Sequence, residues 1–230
     1  MGGGGSAGEC LPPNASTRLV RSPSEQDRMV MYMLTLKIHE RTLRGWTLPL
    51  GVVCAGRLIE YLFPPRWGRA EARELCQFIQ AAADPEHISV VLVDGPNDLK
   101  MAPYRHFPRF VRWLDSVLDR STEAVVSRTL GRPAATAVCR RAGVNPSEPY
   151  MRLRGIERAI VEFEVAVSIA PVVVMADDGL DPEGVTRLGN HVLRRLGEMD
   201  DRAVVAIRFH TSKCVPTPWG PDAVTIRSGS

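Results

Sequence analysis

Two strand–helix–strand stretches constrain this sequence more than anything else in it. Leu58 to Phe63 (LIEYLF) and Ile88 to Val93 (ISVVLV) are short, mainly apolar runs. They flank a helical pattern from Gly68 to Ala83, in which Ala72, Leu75, Cys76 and Ile79 form one stripe with Phe78 at its edge. Farther on, Pro171 to Met175 and Ala203 to Phe209 flank a second helical pattern, Pro182 to Met199, with Val185, Leu188, Val192, Leu193 and Leu196 inside. A strand that leaves and returns through a helix ordinarily joins a parallel neighbour. Apolar runs of this length suit strands covered on both faces. The expectation is an α/β fold, a mainly parallel sheet with covering helices built from βαβ repeats.

The remaining chain fits around these units. Met29 to His39 and Leu50 to Cys54 read as further strands, and Pro64-Pro65 stops the run at Phe63 because proline cannot donate to a ladder. After Pro108, Phe110, Val111, Leu114, Val117 and Leu118 recur at helical spacing. Thr122 to Thr129 reads as strand-like around Ala124-Val125-Val126, Ala134 to Ala142 as a helix ended by Gly143, and Asn145-Pro146 as a helix start. Arg154 to Val167 is open between helix and strand, since Val161, Phe163, Val165 and Val167 alternate. Residues 1–28, rich in glycine, proline and serine, read as a disordered tail. Residues 29–215 read as one domain and 216–230 as an irregular C-terminal tail.

Composition excludes some classes. A hydrophobic fraction of 44% is ordinary for a globular chain and argues against global disorder. No apolar run reaches the roughly 18 residues of a spanning helix, and no secretory pattern opens the chain, so a cytoplasmic location without membrane insertion is expected. Cys10, Cys54, Cys76, Cys139 and Cys214 form no CxxC pair, which leaves a structural zinc site or a disulfide framework without support. The chain is arginine-rich: its only lysines are Lys37, Lys100 and Lys213, and Arg105 to Arg158 holds eleven arginines against five acids.

Two strands end in acidic turns, Asp94-Gly95-Pro96-Asn97-Asp98 and Asp177-Asp178-Gly179-Leu180-Asp181. In open parallel sheets, ligands bind beyond the carboxyl ends of the strands. Converging carboxylates there would suit Mg²⁺ or Ca²⁺, or supply a general acid or base. Asp98 and Asp178 are therefore the candidate catalytic residues, with Asp94, Gly95, Asn97, Asp177 and Gly179 as candidate ligand-binding residues. The plainer reading is that aspartate and glycine build turns and cap helices. The five histidines show no HxH or HExxH spacing; no GxSxG elbow, phosphate-loop GxxxxGK[ST] or GxGxxG fingerprint occurs. No cofactor is specified.

Two family resemblances follow from particular stretches. Gly56 to Arg120, with GRLIEYLFPP, AEARELCQFIQAAADPEHI, SVVLVDG and DLKM, resembles the first part of the crotonase (enoyl-CoA hydratase/isomerase) family. That resemblance implies an acyl-thioester ligand and an oxyanion-holding loop ending at Asp98-Leu99. The loop here lacks the family's phenylalanine-serine-alanine-glycine run, which implies a divergent or non-catalytic relative. Thr136 to Ala159 resembles the helix-turn-helix of TetR-type regulators, with Gly143 in the turn. It implies nucleic-acid contacts from Arg140, Arg141, Tyr150, Arg152 and Arg154. A third reading is a non-catalytic interaction subunit, as a homo-oligomer or with a partner protein.

Overall fold

A computed structural model describes residues 35–38, 41–43, 46–48, 51–63, 69–83, 90–93, 109–177, 179–209, 218–221, 223–225 and 227–228. The strands are β1 (Thr35–Ile38), β2 (Arg41–Leu43), β3 (Trp46–Leu48), β4 (Gly51–Cys54), β5 (Leu58–Phe63), β6 (Val90–Val93), β7 (Val172–Ala176), β8 (Ala203–Phe209), β9 (Ala223–Thr225) and β10 (Arg227–Ser228). The helices are α1 (Arg69–Ala83), α2 (Arg109–Val117), α3 (Thr122–Leu130), α4 (Arg132–Ala142), α5 (Gly155–Ile169) and α6 (Pro182–Leu196). Among the described residues no helix is long and apolar enough to cross a membrane.

The central sheet is parallel throughout, in the order β6-β7-β8-β5-β9. Two small antiparallel sheets, β1-β4 and β10-β3-β2, also form among the described residues. The expected α/β class with a parallel, helix-covered sheet is what forms. The helix α6 joins true neighbours, β7 and β8. The first crossover does not: β7 and β8 lie between β5 and β6. Local pattern specifies a right-handed return to the sheet, but not how many places away the chain lands. The C-terminus also contributes to the sheet, since β9 extends it beyond β5.

Alternation along the strands divides the core between two faces. Ile59, Tyr61, Phe63, Val172, Val174, Val205 and Ile207 pack with Leu36, Ile38 and Val53 and with Leu75, Cys76 and Ile79 of α1. Leu58, Val91, Val93, Val173, Met175, Val204 and Ala206 pack with the helices α3 to α6. The residues of α5 are buried from Ala159 through Val167. A helix surrounded on all sides carries no polar stripe, and this resolves the ambiguous alternation at Val161 to Val167.

Two sequence expectations are corrected. Thr122–Leu130 is helix, not strand: the Ser121 side chain accepts from the Ala124 N–H at the N-terminus, with Glu123 in the first turn and Arg128 in the last. Caps and end charges of this kind outweigh the β preference of Val125 and Val126. Asn145-Pro146 begins no helix. The Glu148 N–H donates to the Asn145 carbonyl in a turn, and only one 3₁₀ turn, Tyr150–Arg152, follows Pro149. The end of α4 is as expected: Gly143 sits at φ 70°, the left-handed conformation that glycine adopts without steric cost.

Candidate functional site

The helices that follow β5 and β7 in the sequence lie on opposite faces of the sheet. The helix α1 covers one face and α6 the other. This makes a topological switch at the carboxyl ends of β5, β8 and β7, where open parallel sheets hold ligands. Three charged side chains meet there, each from a different segment. Glu60 comes from β5 and Arg208 from β8, while Asp177 directly follows β7; all three are buried. The Arg208 Nε donates to Asp177 Oδ2 at 2.9 Å, and Arg208 Nη1 lies 3.8 Å from Glu60 Oε1. The Asp177 backbone N–H donates to the Ile207 carbonyl at 3.2 Å, tying the turn to β8.

Trp219 closes this cluster from the chain's far end. Its backbone N–H lies 2.6 and 2.9 Å from the two Glu60 carboxylate oxygens, and its ring stacks on the Arg208 guanidinium at 4.5 Å. Burial pushes the Glu60 carboxyl up; the Trp219 N–H, the Arg208 charge and the Gly220 N–H oppose this only in part, and the neighbouring Asp177 adds to it. The ring of Trp219 rests against Gly189 of α6, where an added Cβ would stand 2.5 Å from ring atoms. Gly189→Ala is therefore expected to expel Trp219 and to cost about 1–3 kcal/mol by overpacking. A lower melting temperature together with red-shifted tryptophan emission checks this; unchanged emission refutes the displacement.

A second buried cluster centres on Glu164 of α5. Arg141 Nε of α4 donates to Glu164 Oε2 at 2.6 Å, and His191 Nε2 of α6 lies 2.8 Å from Oε1. Arg194 donates to His191 Nδ1 at 2.9 Å. Arginine can only donate, so Nδ1 accepts and Nε2 carries the ring proton that meets Glu164. Arg195 Nε is 2.8 Å from Oε1 but not aligned for a hydrogen bond, so it contributes charge alone. Burial by itself would raise the Glu164 carboxyl. The hydrogen bonds from His191 and Arg141 and the charges of Arg195 and Arg141 outweigh burial and hold it below the ordinary carboxylate value.

The expected site residues are only partly placed. Because β6 and β7 pair in parallel, with Val93 opposite Met175, the two strands end on the same side of the sheet. Asp94, Gly95, Asn97, Asp98 and Asp178 lie outside the described residues. Gly179 takes φ 82° in the turn, and Asp181 caps α6 by accepting from the Gly184 N–H at 2.6 Å, the plainer role for such a segment.

The helix-turn-helix expectation is corrected. Tyr150 is buried, and its hydroxyl lies 3.0 Å from Glu162. Arg141 is committed to Glu164, and Arg152 to Asp119. Arg154 precedes α5, where its backbone N–H donates to Glu157, and Arg140 lies in the last turn of α4. With Tyr150 turned into the core on a single 3₁₀ turn and no α-helix to present it, the reading surface is not assembled. Glu60, Arg208, Glu164 and Trp219 were not among the candidates. A signal for the first three exists: Glu60 and Arg208 are each the one charge in an otherwise apolar run (LIEYLF, AVVAIRF), Glu164 is one of two in EFEVAV, and a buried charge requires a partner.

No family model and no curated protein matches the chain. Among solved structures it is similar to cbiO1 from Clostridium perfringens, part of the ABC transporter complex cbiONQ. The identity is 14%, the match covers 86% of each chain, and the TM-score is 0.54. Two ATP-binding cassettes from ABC transporters, one nucleotide-free and one, MJ1267, in its ADP conformation, overlap less. Each is 13% identical over 77% of this chain and 81% of theirs, with TM-scores of 0.47 and 0.49, too low to carry an argument. The similarity to cbiO1 overturns the crotonase resemblance at Gly56 to Arg120, and the acyl-thioester reading goes with it. The cues there were a strand, a helix and a strand, which many parallel α/β sheets share. The architecture is the one that cbiO1 adopts.

Proposed function

We propose that the chain is a cassette-type subunit of a membrane transport assembly, one that does not itself hydrolyse a nucleotide. The fold it shares with cbiO1 supports the first half. The second half rests on one observation, the Arg208–Asp177 contact of 2.9 Å. Phosphate-loop ATPases cradle the nucleotide phosphates on a glycine-rich loop with a lysine between a strand and a helix. They hold Mg²⁺ with the loop's Ser/Thr and an aspartate from a nearby strand. In this sequence the link after β5 reads Pro64-Pro65-Arg66-Trp67-Gly68-Arg69-Ala70-Glu71, without the lysine or the Ser/Thr. Asp177, which follows β7, faces a guanidinium that repels a divalent cation. Among the described residues no three His, Cys, Asp or Glu side chains stand together as metal ligands. These residues do not fit a magnesium nucleotide.

The reading is tested by equilibrium binding of a fluorescent ATP analogue with and without Mg²⁺, alongside phosphate release. No Mg²⁺-dependent binding and no turnover above the blank are expected. Asp98→Ala, Asp177→Ala and Asp178→Ala are expected to leave that result unchanged. Mg²⁺-dependent hydrolysis that Asp178→Ala abolishes would restore an active site at the acidic turns, with Asp94, Gly95, Asn97 and Gly179 as its first residues to vary.

A further inference from the structure

The last strand of the parallel sheet is lightly attached. β9 is three residues long and, among the described residues, pairs only with β5, where Glu60, Tyr61 and Leu62 stand opposite Ala223, Val224 and Thr225. Just before it, the exposed Pro218 and Pro221 flank the half-buried Trp219 and Gly220. Glu60 engages this C-terminal stretch twice. Its backbone stands opposite Ala223, and its carboxylate accepts from the Trp219 N–H.

The seat of Trp219 holds the stretch down at a cost. The indole Nε1 is buried and meets no hydrogen-bond partner among the described residues. The ring is pressed against Gly189 of α6 instead. A buried donor without an acceptor forfeits its hydration. Beneath the ring, Glu60 and Arg208 are 0 and 2% exposed, so two charges are kept from water as well. Lifting Trp219 would hydrate the indole N–H and both charges at once. What opposes lifting is local: one N–H to a carboxylate, one ring on a guanidinium, and a three-residue ladder. Segments held by few contacts open well below the free energy of global unfolding.

We propose that the stretch carrying Trp219 and β9 is a releasable strap over the strand-end cluster. It lifts while the rest of the sheet stays folded, and so controls the access of solutes to Glu60, Arg208 and Asp177. The inference does not depend on whether the cluster meets a nucleotide. The test pairs amide hydrogen exchange of the full chain with phenylglyoxal labelling of Arg208, both read by mass spectrometry. After correction for intrinsic rates, the amides of Gly220 and of Ala223 to Thr225 are expected to exchange about a hundredfold or more faster than those of Val204 to Ile207 in β8. Arg208 is expected to be labelled in the native chain, faster than β8 exchange would allow. Trp219→Ala is expected to speed both Gly220 exchange and Arg208 labelling by about tenfold or more. Gly189→Ala disturbs the same seat from α6, keeps the indole and should act in the same direction. Three results would overturn the proposal. The first is exchange of the strap amides at the rate of β8, which would make the stretch part of the core. The second is Arg208 labelled no faster than β8 exchanges. The third is labelling of Arg208 at the parent rate in Trp219→Ala. The first two are read on the parent alone, so neither requires a variant to fold.

Discussion

Glu164→Ala is expected to lower stability by about 3–5 kcal/mol, the usual cost of removing one partner from a buried ion pair. For a chain of this size that is a fall of about 6–20 °C in melting temperature. The carboxylate is fully buried and joins three helices: Arg141 reaches it from α4, and His191 and Arg195 from α6. Removing it leaves two half-buried guanidiniums, Arg141 and Arg195, and the buried His191 N–H without their carboxylate. Glu164→Gln keeps the volume and one acceptor but loses the charge, so a smaller loss is expected. The acid limb of the stability profile gives a second readout. The folded-state carboxyl is held below its unfolded value. Its contribution is therefore present above the ordinary glutamate range and is lost as pH falls through the folded pKa. The alanine variant lacks that loss, and its stability is expected to fall less steeply on acidification. A cost under about 1 kcal/mol would show that the surrounding arginines find water instead.

That cluster also marks how far the sequence can be read. The strand β8 could be bounded from its apolar run alone, Ala203 to Phe209, and Gly143 marked the end of α4 because only a left-handed residue suits that turn. These are short-range effects, set by residues a few positions apart. The partners of the buried charges are not of this kind. Arg208 meets Asp177 across 31 residues, and Glu60 meets Trp219 across 159. Their pairing depends on strand order, which periodicity does not encode. The same limit explains the acidic turns: composition nominated Asp177, but only the placement of β8 shows that an arginine already holds it. The strand-like reading of Thr122 to Thr129 failed for a different reason. Two adjacent valines weighed more than a capping serine just before the run, and in the folded chain the cap won.

Arg208→Ala is the second large effect expected, again about 3–5 kcal/mol at neutral pH, because two carboxylates would remain buried with no guanidinium between them. Loss of the stacking on Trp219 adds about 0.5–2 kcal/mol. The pH dependence distinguishes this from a packing defect. Burial already raises the Glu60 carboxyl in the native chain. The stability linked to that shift is present below the ordinary glutamate value and is lost as pH rises through the folded pKa. Arg208 is one of the groups that limit the shift, so removing it moves the folded pKa farther up and widens the window of loss. The gap between the variant and the parent is therefore expected to be largest near neutrality and to narrow on acidification, as Glu60 takes up its proton. Glu60→Gln combined with Arg208→Met tests the same point by chemistry: without the buried Glu60 charge, the methionine variant should recover much of its loss at neutral pH. Urea denaturation of the parent, Arg208→Ala, Arg208→Met and the Glu60→Gln/Arg208→Met double variant across the acid range measures all of this. A gap that stays constant with pH would mean that Arg208 acts through its size, and that the strand-end cluster does not depend on charge.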